Sequence, residues 1–588
     1  MYINDYLNNL LKDSFNKCGY EDNLAFVINS QRPEVCDFQC NASFALSKKL
    51  GINPQEIAKN IINNLPLHDT IVTVEFAMPA FINFKFTNYG LSKFANELNE
   101  DKNLGIKQTD KPLNVIMDYG GANIAKELHV GHLRPPIIGE SLKRLYKSFG
   151  HHVISDSHLG DWGLQMGLTI AELQDDGYLD SYFTGKGSKK EITLDLLNEE
   201  YPKASKRKNV DSDFKKKADD YTLYIQRKKE PFYTIYKEIK EASLKAIKKN
   251  YATLNSFYDL WYGESDAADY TDLVVNIFKE KGLARISDGA LVVDVAREGE
   301  HIPIPKKSPD EPQMYKNPMP PCIIKKYNDG DLYATTDIAT IYMRNLNGAP
   351  DQIIYVTDSR QGMHFTQVFR ASKLAGISPE NQELIHVPHG TIKGTDGKPF
   401  KTRSGETIRL EDIIDLITSK AEQKLKANGI ENDKKLALQI GVGAMKYGDL
   451  SNECSKDYVF DIDKFTSFEG KTGPYIQYTA VRIKSLLNKA GEFEFNVNIT
   501  TPEERNVLIN INKLIESYSL AFKGLTLSPI CTAVYNLAAS YSNFYNNIRI
   551  LNERNKEKRN SFLSISKLTL KCIEKALGIL ATDIPDKM

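Results

Sequence analysis

The 588-residue sequence predicts a multidomain α/β protein: an N-terminal α+β domain, a parallel-sheet domain in the middle and a C-terminal all-α helical bundle. Three observations carry that reading. Between residue 112 and about 450, short apolar runs alternate with helical patterns, as expected of a parallel sheet flanked by helices. Before it, two runs rich in β-branched and aromatic residues follow an amphipathic helix. After about residue 460, apolar residues recur at helical spacing. A chain of this length exceeds what one core serves, and about three or four domains are expected.

The elements follow in order. Residues 1–108 form the first domain. Tyr2, Tyr6, Leu7, Leu10 and Leu11 make one stripe, predicting a helix over residues 1–15. Ile71–Phe76 and Phe81–Phe86 predict strands, the second with mostly alternating polarity. The charged stretch from Glu100 to Lys111 reads as a linker. In the middle domain, Val115–Asp118, Val153–Ser157, Ile353–Thr357 and Leu384–His389 predict buried strands. A helical insertion from about 185 to 250 is rich in lysine and glutamate, as in Lys206-Arg207-Lys208 and Lys215-Lys216-Lys217. These runs read as a solvated helical face, with too little aromatic character for base stacking. In the last domain, Val534, Leu537, Ala538, Tyr541, Phe544, Tyr545 and Ile548 form one helix face turned to a bundle core.

Formal net charge is zero. That argues against indiscriminate coating of nucleic acid, which rests on phosphate neutralisation, but leaves room for a specific RNA partner met by a local basic face. The seven cysteines are scattered; only Cys36 and Cys40 are close, with no second pair to complete a zinc site. Reduced structural thiols are expected, as in the cytoplasm. The opening MYINDYLNNLLKDSF has an early aspartate and no long apolar core, so no secretory signal is read there. No apolar run approaches a membrane span.

The chemistry concentrates after Val115-Ile116-Met117, at His129-Val130-Gly131-His132. Ligands of parallel sheets sit at the carboxyl ends of strands, where this turn falls. A helix start there offers free backbone N–H groups and a positive dipole end to an anion. Gly131 lets the backbone approach a ligand closely. His129 and His132 are three apart and share a face once the helix has begun. Two such donors suit the charge that builds on an α-phosphate under attack by a carboxylate.

Asn123, Ala125 and Lys126 stand before the histidines, and Gly160-Asp161-Trp162-Gly163 follows about thirty residues on. With these flanks the sequence strongly resembles class I arginyl-tRNA synthetases, whose signature reads N-x-A-K-x-x-H-x-G-H followed by a G-D-W-G loop. The resemblance implies a Rossmann-like catalytic domain over 112–450. It also implies that residues 1–108 touch the corner of a tRNA and that 460–588 form a helical anticodon-binding domain. Gly470–Tyr478 and the closing Leu577–Met588 carry that last likeness. It allows the lysine-rich insertion a second reading, as a contact with the tRNA acceptor.

Tyr333 and Asp337 at i, i+4, Gln361 twenty-four residues after Asp337, and Tyr262-Gly263-Glu264-Ser265 resemble the family's arginine pocket. On charge grounds Asp337 and Glu264 read the guanidinium, with Tyr333 beside them. Asn123 and Gln361 suit the substrate's carboxylate and amino groups. His129, Gly131, His132 and His364 are assigned to ATP. The usual K-M-S-K-S loop reads Gly397 to Gly405 here. With Phe400 at the methionine, the second lysine falls on Thr402, so Lys401, Arg403 and Lys126 are the candidate phosphate-gripping cations. Ala122 replaces a common proline, and Pro135-Pro136 are tolerated in a first helical turn. The expected partners are tRNA(Arg), L-arginine and ATP, with ATP as its Mg2+ complex. No tightly bound cofactor or protein-held metal, no membrane contact and a cytoplasmic monomer are expected. A small nucleotidyltransferase shares H-x-G-H but not the arginine pocket or the helical last domain. A silent tRNA-binding paralogue is expected to lack His129, His132 or Asp337.

Overall fold

The computed structural model describes residues 3–32, 34–66, 70–300, 302–303, 315–316, 319–326, 333–398, 400, 408–427, 429–430 and 433–588. They fall into two compact units. One comprises Thr109–Ser419 and Asn452–Asp461; the other comprises Met1–Gln108, Lys420–Ser451 and Ile462–Met588.

The first unit is built on four parallel strands in the order Glu383–His389, Gln352–Asp358, Asn114–Tyr119, His152–Asp156. They are the four apolar runs read from the sequence, each longer or shifted by a residue or two. In register, Asp118 stands between Tyr355 and Asp156. The helix Tyr333–Asn345 lays Ile338, Ala339 and Ile341 against Ile353, Val368 and Ala371, so one apolar face of the sheet is sealed. Between the second and third strands in sequence come the helices Leu194–Arg207, Ser212–Gln226 and Phe232–Thr253, then a small antiparallel sheet of Ala284–Ser287, Ala290–Val293 and Cys322–Lys325. Ala204, Phe214 and Ala218 pack with Leu168 and Ala171 of the helix Leu164–Asp175. The lysine runs lie on the outer side: Lys215 and Lys216 are exposed, and Lys217 and Arg207 pair with Asp175.

In the second unit the helix Ile3–Cys18 buries Leu7, Leu10 and Leu11. Four antiparallel strands follow, in the order Ile28–Asn29, Phe38–Cys40, Phe81–Phe86, Val72–Ala77. This α+β module packs on the closing helices. Arg505 donates to the Phe86 carbonyl at 2.7 Å and pairs with Asp37 at 2.5 Å. Asn96 exchanges two hydrogen bonds with the Val497 backbone, and Lys571 Nζ reaches Asn99 Oδ1 at 2.8 Å. The long helices are Gly473–Ala490, Pro502–Gly524, Ser528–Asn547 and Lys556–Ile579. Val534, Leu537, Ala538, Tyr541 and Phe544 are buried on one face of the third. Tyr545 is half-buried, and Ile548 lies past the helix end in extended backbone. The helix Lys434–Leu450 belongs with these helices, although residues to 450 were expected with the sheet. Its Tyr447 hydroxyl donates to the Cys531 carbonyl at 2.7 Å, and its face from Ile440 to Leu450 is continuously buried. None of the seven cysteines forms a disulfide. Among the described residues, no helix is long and apolar enough to cross a membrane.

Candidate active site

The four parallel strands end side by side at Tyr119, Asp156, Asp358 and His389, and a cleft of about 670 Å3 opens there. Asn123, His129, Gly131, His132, Glu264, Tyr333, Asp337, Gln361 and His364 all line it. Four distant stretches of sequence thus meet at the strand edge that favours ligands. Tyr333 is open to solvent, at 72% exposure. Lys126 is not among the cleft walls. It lines a neighbouring pocket, with Nζ 4.8 Å from the ring centre of Tyr201. Lys401, Thr402 and Arg403 lie outside the described residues.

The histidine turn works differently from the sequence reading. After the strand Asn114–Tyr119, residues Val130–His132 form a 3-10 turn, and the helix Arg134–Ser148 begins with prolines in its first turn, where an absent N–H matters little. The backbone N–H groups expected to meet an anion are already used. That of His129 donates to His132 Nδ1 at 3.1 Å, and that of Gly131 to His129 Nδ1 at 3.0 Å. Val130 donates to the Ile408 carbonyl and His132 to the His129 carbonyl. A ring nitrogen that accepts carries no proton, so in each neutral imidazole Nε2 carries it. Both rings, 4.0 Å apart at their centres, are therefore fixed as Nε2–H donors. Burial first, then His129 and Lys126, push His132 down to about 3. Burial and then Lys126 lower His129 as well. The site offers an anion two neutral side-chain donors in place of backbone N–H groups.

The carboxylates are held from behind. Glu264 opens the short helix Glu264–Ala267. Its neighbour Ser265 donates to the fully buried Asp161 through the backbone N–H at 2.9 Å and through Oγ at 2.7 Å. Tyr236 donates to the same carboxylate at 2.9 Å, and Lys240 pairs with it at 2.5 Å. A side chain at Gly263 would meet that carboxylate at 2.6 Å, so only glycine lets the two segments touch. Burial first and Asp161 next push Glu264 up to about 7; Asp337 adds to this and His158 opposes it. Asp337 is hydrogen-bonded to His364 Nε2 at 2.5 Å, so the imidazole assigned to ATP orients a carboxylate. Asn123 is bridged to Gly160, where a Cβ would come within 2.1 Å of Asn123 Oδ1. The G-D-W-G loop thus positions Asn123 through its first glycine and Glu264 through its aspartate.

Beneath the cleft lies a buried ion-pair network that the sequence reading missed. Arg344 donates to Asp118 at 2.7 Å and to Asp156 at 2.6 Å. His158 Nε2 is 3.3 Å from Thr340 Oγ1, whose own proton goes to the Thr336 carbonyl at 2.9 Å, so Nε2 is the donor there. His158 Nδ1 faces Asp156 at 3.7 Å. Burial opposes the charge on His158, but Asp156 and Asp118 outweigh it and hold the imidazole above its ordinary value. Burial likewise raises Asp118, whereas His158 and Arg344 overcome burial and hold Asp156 low. Asp118, Asp156 and His158 stand close enough to share a metal ion; the Arg344 guanidinium already supplies the positive charge. A signal was present in the sequence: Asp337, Thr340 and Arg344 stand at i, i+3, i+7 on one side of the helix Tyr333–Asn345.

Family models match nearly the whole chain: the arginyl tRNA synthetase N terminal domain over residues 3–86, the class I (R) tRNA synthetase catalytic domain over 93–462, and the DALR anticodon binding domain over 476–588. The arginine–tRNA ligase of Agathobacter rectalis is 40% identical over 598 residues, covering 98% of each chain. That of Alkaliphilus oremlandii is 39% identical over 591 residues, with the same coverage. In fold, the chain is similar to the arginyl-tRNA synthetases of Plasmodium falciparum (TM-score 0.81, 24% identity, 100% of this chain and 99% of that one) and Thermus thermophilus (TM-score 0.79, 21% identity, 100% of both). With its sheet-edge cleft, its histidine turn and full-length likeness to curated arginine–tRNA ligases, the chain belongs to the class I arginyl-tRNA synthetases.

Proposed function

We propose that the cleft holds L-arginine and ATP together, forms arginyl-adenylate with release of pyrophosphate, and passes the arginyl group to the 3′-terminal ribose of tRNA(Arg) with release of AMP. The observation that carries this is one cleft lined both by the Glu264 and Asp337 carboxylates and by the His129 and His132 imidazoles fixed as neutral donors. Glu264 and Asp337, with Tyr333, meet the guanidinium; Asn123 and Gln361 meet the amino and carboxylate groups. His129 and His132 donate to the α-phosphate as charge moves onto it. Lys126, Lys401 and Arg403 grip the other phosphates of ATP, which enters as its magnesium complex. No covalent enzyme intermediate is needed, so rate comes from positioning and charge stabilisation. Residues 1–108 meet the tRNA corner and 460–588 the anticodon. Seven cysteines without a disulfide fit action in the cytoplasm, and a monomer is the family expectation.

Arginine-dependent pyrophosphate exchange in the presence of tRNA(Arg) tests the reading; absence of exchange sinks it. In the same assay Asp337→Asn keeps the shape and removes the charge. A charge-assisted hydrogen bond is worth about 1.5–3 kcal/mol, so arginine affinity falls about tenfold or more. ATP affinity stays, and discrimination against citrulline narrows. Unchanged rejection of citrulline removes Asp337 from the guanidinium site.

The pH dependence of arginine binding follows from Glu264. Its carboxyl titrates at about 7 in the unliganded chain, and a guanidinium favours the ionised form. Binding therefore expels a proton below pH 7. Arginine affinity rises with pH up to about 7, at most tenfold per unit, and then levels. Isothermal titration between pH 5.5 and 8 reads this directly, and Glu264→Gln flattens the profile. A flat wild-type profile places the guanidinium elsewhere.

A further inference from the structure

The helix Leu164–Asp175 starts at the G-D-W-G loop and ends against the helical insertion. Its closing turn carries Glu172, and Asp176 caps it. That is the negative end of the helix dipole, which disfavours carboxylates and favours cations. The insertion helix Leu194–Arg207 brings a third carboxylate, Glu200, to the same place. One oxygen of each of the three lies within 4.8 Å of the other two. Glu172 and Glu200 are buried, Glu200 completely, and Glu200 Oε2 has no hydrogen-bond partner among the described residues. A buried carboxylate oxygen left in that state carries a desolvation cost that calls for a compensating charge.

The cations already present supply little of it. Lys203 donates to Glu200 Oε1 at 2.6 Å and lies 3.5 Å from Asp176, but its side chain is 53% exposed and free to swing into water. Arg207 stands 3.3 Å from Glu172 and is shared with Asp175 at 2.8 Å and Asp211 at 3.2 Å. Burial pushes the Glu200 carboxyl up; Lys203 opposes this and Asp176 adds to it. Beneath the cleft the buried Arg344 fills the corresponding place between two aspartates; here only a displaceable lysine does. The donors are all carboxylate oxygens, the choice of a hard cation. Oxygens bound to one calcium at about 2.3–2.6 Å lie at most about 5 Å apart, as these do. We propose that Glu172, Asp176 and Glu200 bind a divalent cation, calcium or magnesium, with water completing its shell on the exposed Asp176 side and Lys203 released to solvent. The ion ties the helix that follows the G-D-W-G loop to the insertion, away from the cleft and independently of arginine and ATP.

Isothermal titration of the chelator-stripped full chain with calcium chloride, and separately with magnesium chloride, tests this without nucleotide. One ion per chain is expected, with a Kd of about 0.1–1 mM for the better of the two, the weak end for carboxylate sites because a lysine must be displaced. Glu200→Gln, which keeps the shape and removes the charge, is expected to weaken binding tenfold or more. An ion that binds only the folded chain also stabilises it, so the urea midpoint read by tryptophan fluorescence rises with that ion in the wild type and not in the variant. If Glu200→Gln does not fold, Asp176→Asn, at the exposed side, decides by the same criteria. Absence of binding by either ion up to about 10 mM overturns the proposal. So does wild-type affinity in the folded variant, which places the ion elsewhere. A Glu200→Gln chain more stable than a wild type that binds no ion overturns it as well, and shows Glu200 and Asp176 sharing a proton instead.

Discussion

His132→Ala is expected to leave the chain folded and able to bind tRNA, yet to form arginyl-adenylate about 10²–10³-fold more slowly, the usual cost of one transition-state donor. The ring does two jobs. Its Nδ1 accepts the His129 N–H and closes the turn, and that hydrogen bond is worth only about 0.5–1.5 kcal/mol to the fold. Its Nε2–H is the donor offered to the cleft. Because burial keeps the ring neutral down to about pH 3, the donor is present at every working pH. The wild-type single-turnover rate therefore shows no step from His132 near pH 6.5. Quenched-flow measurement of adenylate formation decides the matter: a near-wild-type rate in a folded variant removes His132 from the chemistry.

Arg344→Met carries the largest expected loss of stability. The guanidinium is buried between Asp118 and Asp156. Removing it leaves two carboxylates in the core with His158 as their nearest partner, and breaking a buried pair in this way costs about 3–5 kcal/mol. The sign of the pH effect follows from linkage. With Arg344 present, Asp156 is held below its ordinary value, so its contribution is present above about pH 4 and is lost as pH falls. Without Arg344, Asp118, already raised by burial, is pushed further above its unfolded value, so the variant loses stability as pH rises. The gap between wild type and variant is therefore wide at pH 7 and narrower at pH 5. Both tryptophans, Trp162 and Trp261, lie in the sheet-bearing unit, so fluorescence during urea unfolding follows that unit alone. A gap that does not depend on pH assigns the loss to packing.

The sheet was legible because each buried parallel strand is a short apolar run, and its order follows from the alternation with helices. The cleft was legible as residue types, since a guanidinium calls for carboxylates and a phosphate for donors. The supports behind them were harder to see. Asp161 reaches Tyr236, Lys240 and Ser265, and nothing in the local spacing of any one of these announces the other three. The histidine turn was legible in place and misread in mechanism, because whether a backbone N–H is free depends on side-chain rotamers. Lys126 was legible as a cation, but its seat on Tyr201 comes from a helix about seventy-five residues away in sequence.

The packing of the α+β module on the last helices has a consequence for synthesis on the ribosome. Asp37, Asn96 and Asn99 bond to Arg505, Val497 and Lys571, so early residues wait for partners made more than four hundred residues later. At about 5–20 residues per second, that wait is on the order of 20–100 s. The sheet-bearing unit, nearly contiguous in sequence, can close during that interval, while the opening module keeps the surface meant for the final helices uncovered. Nascent chains stalled after residue 460 should therefore protect the sheet from proteolysis well before the segment that was translated first.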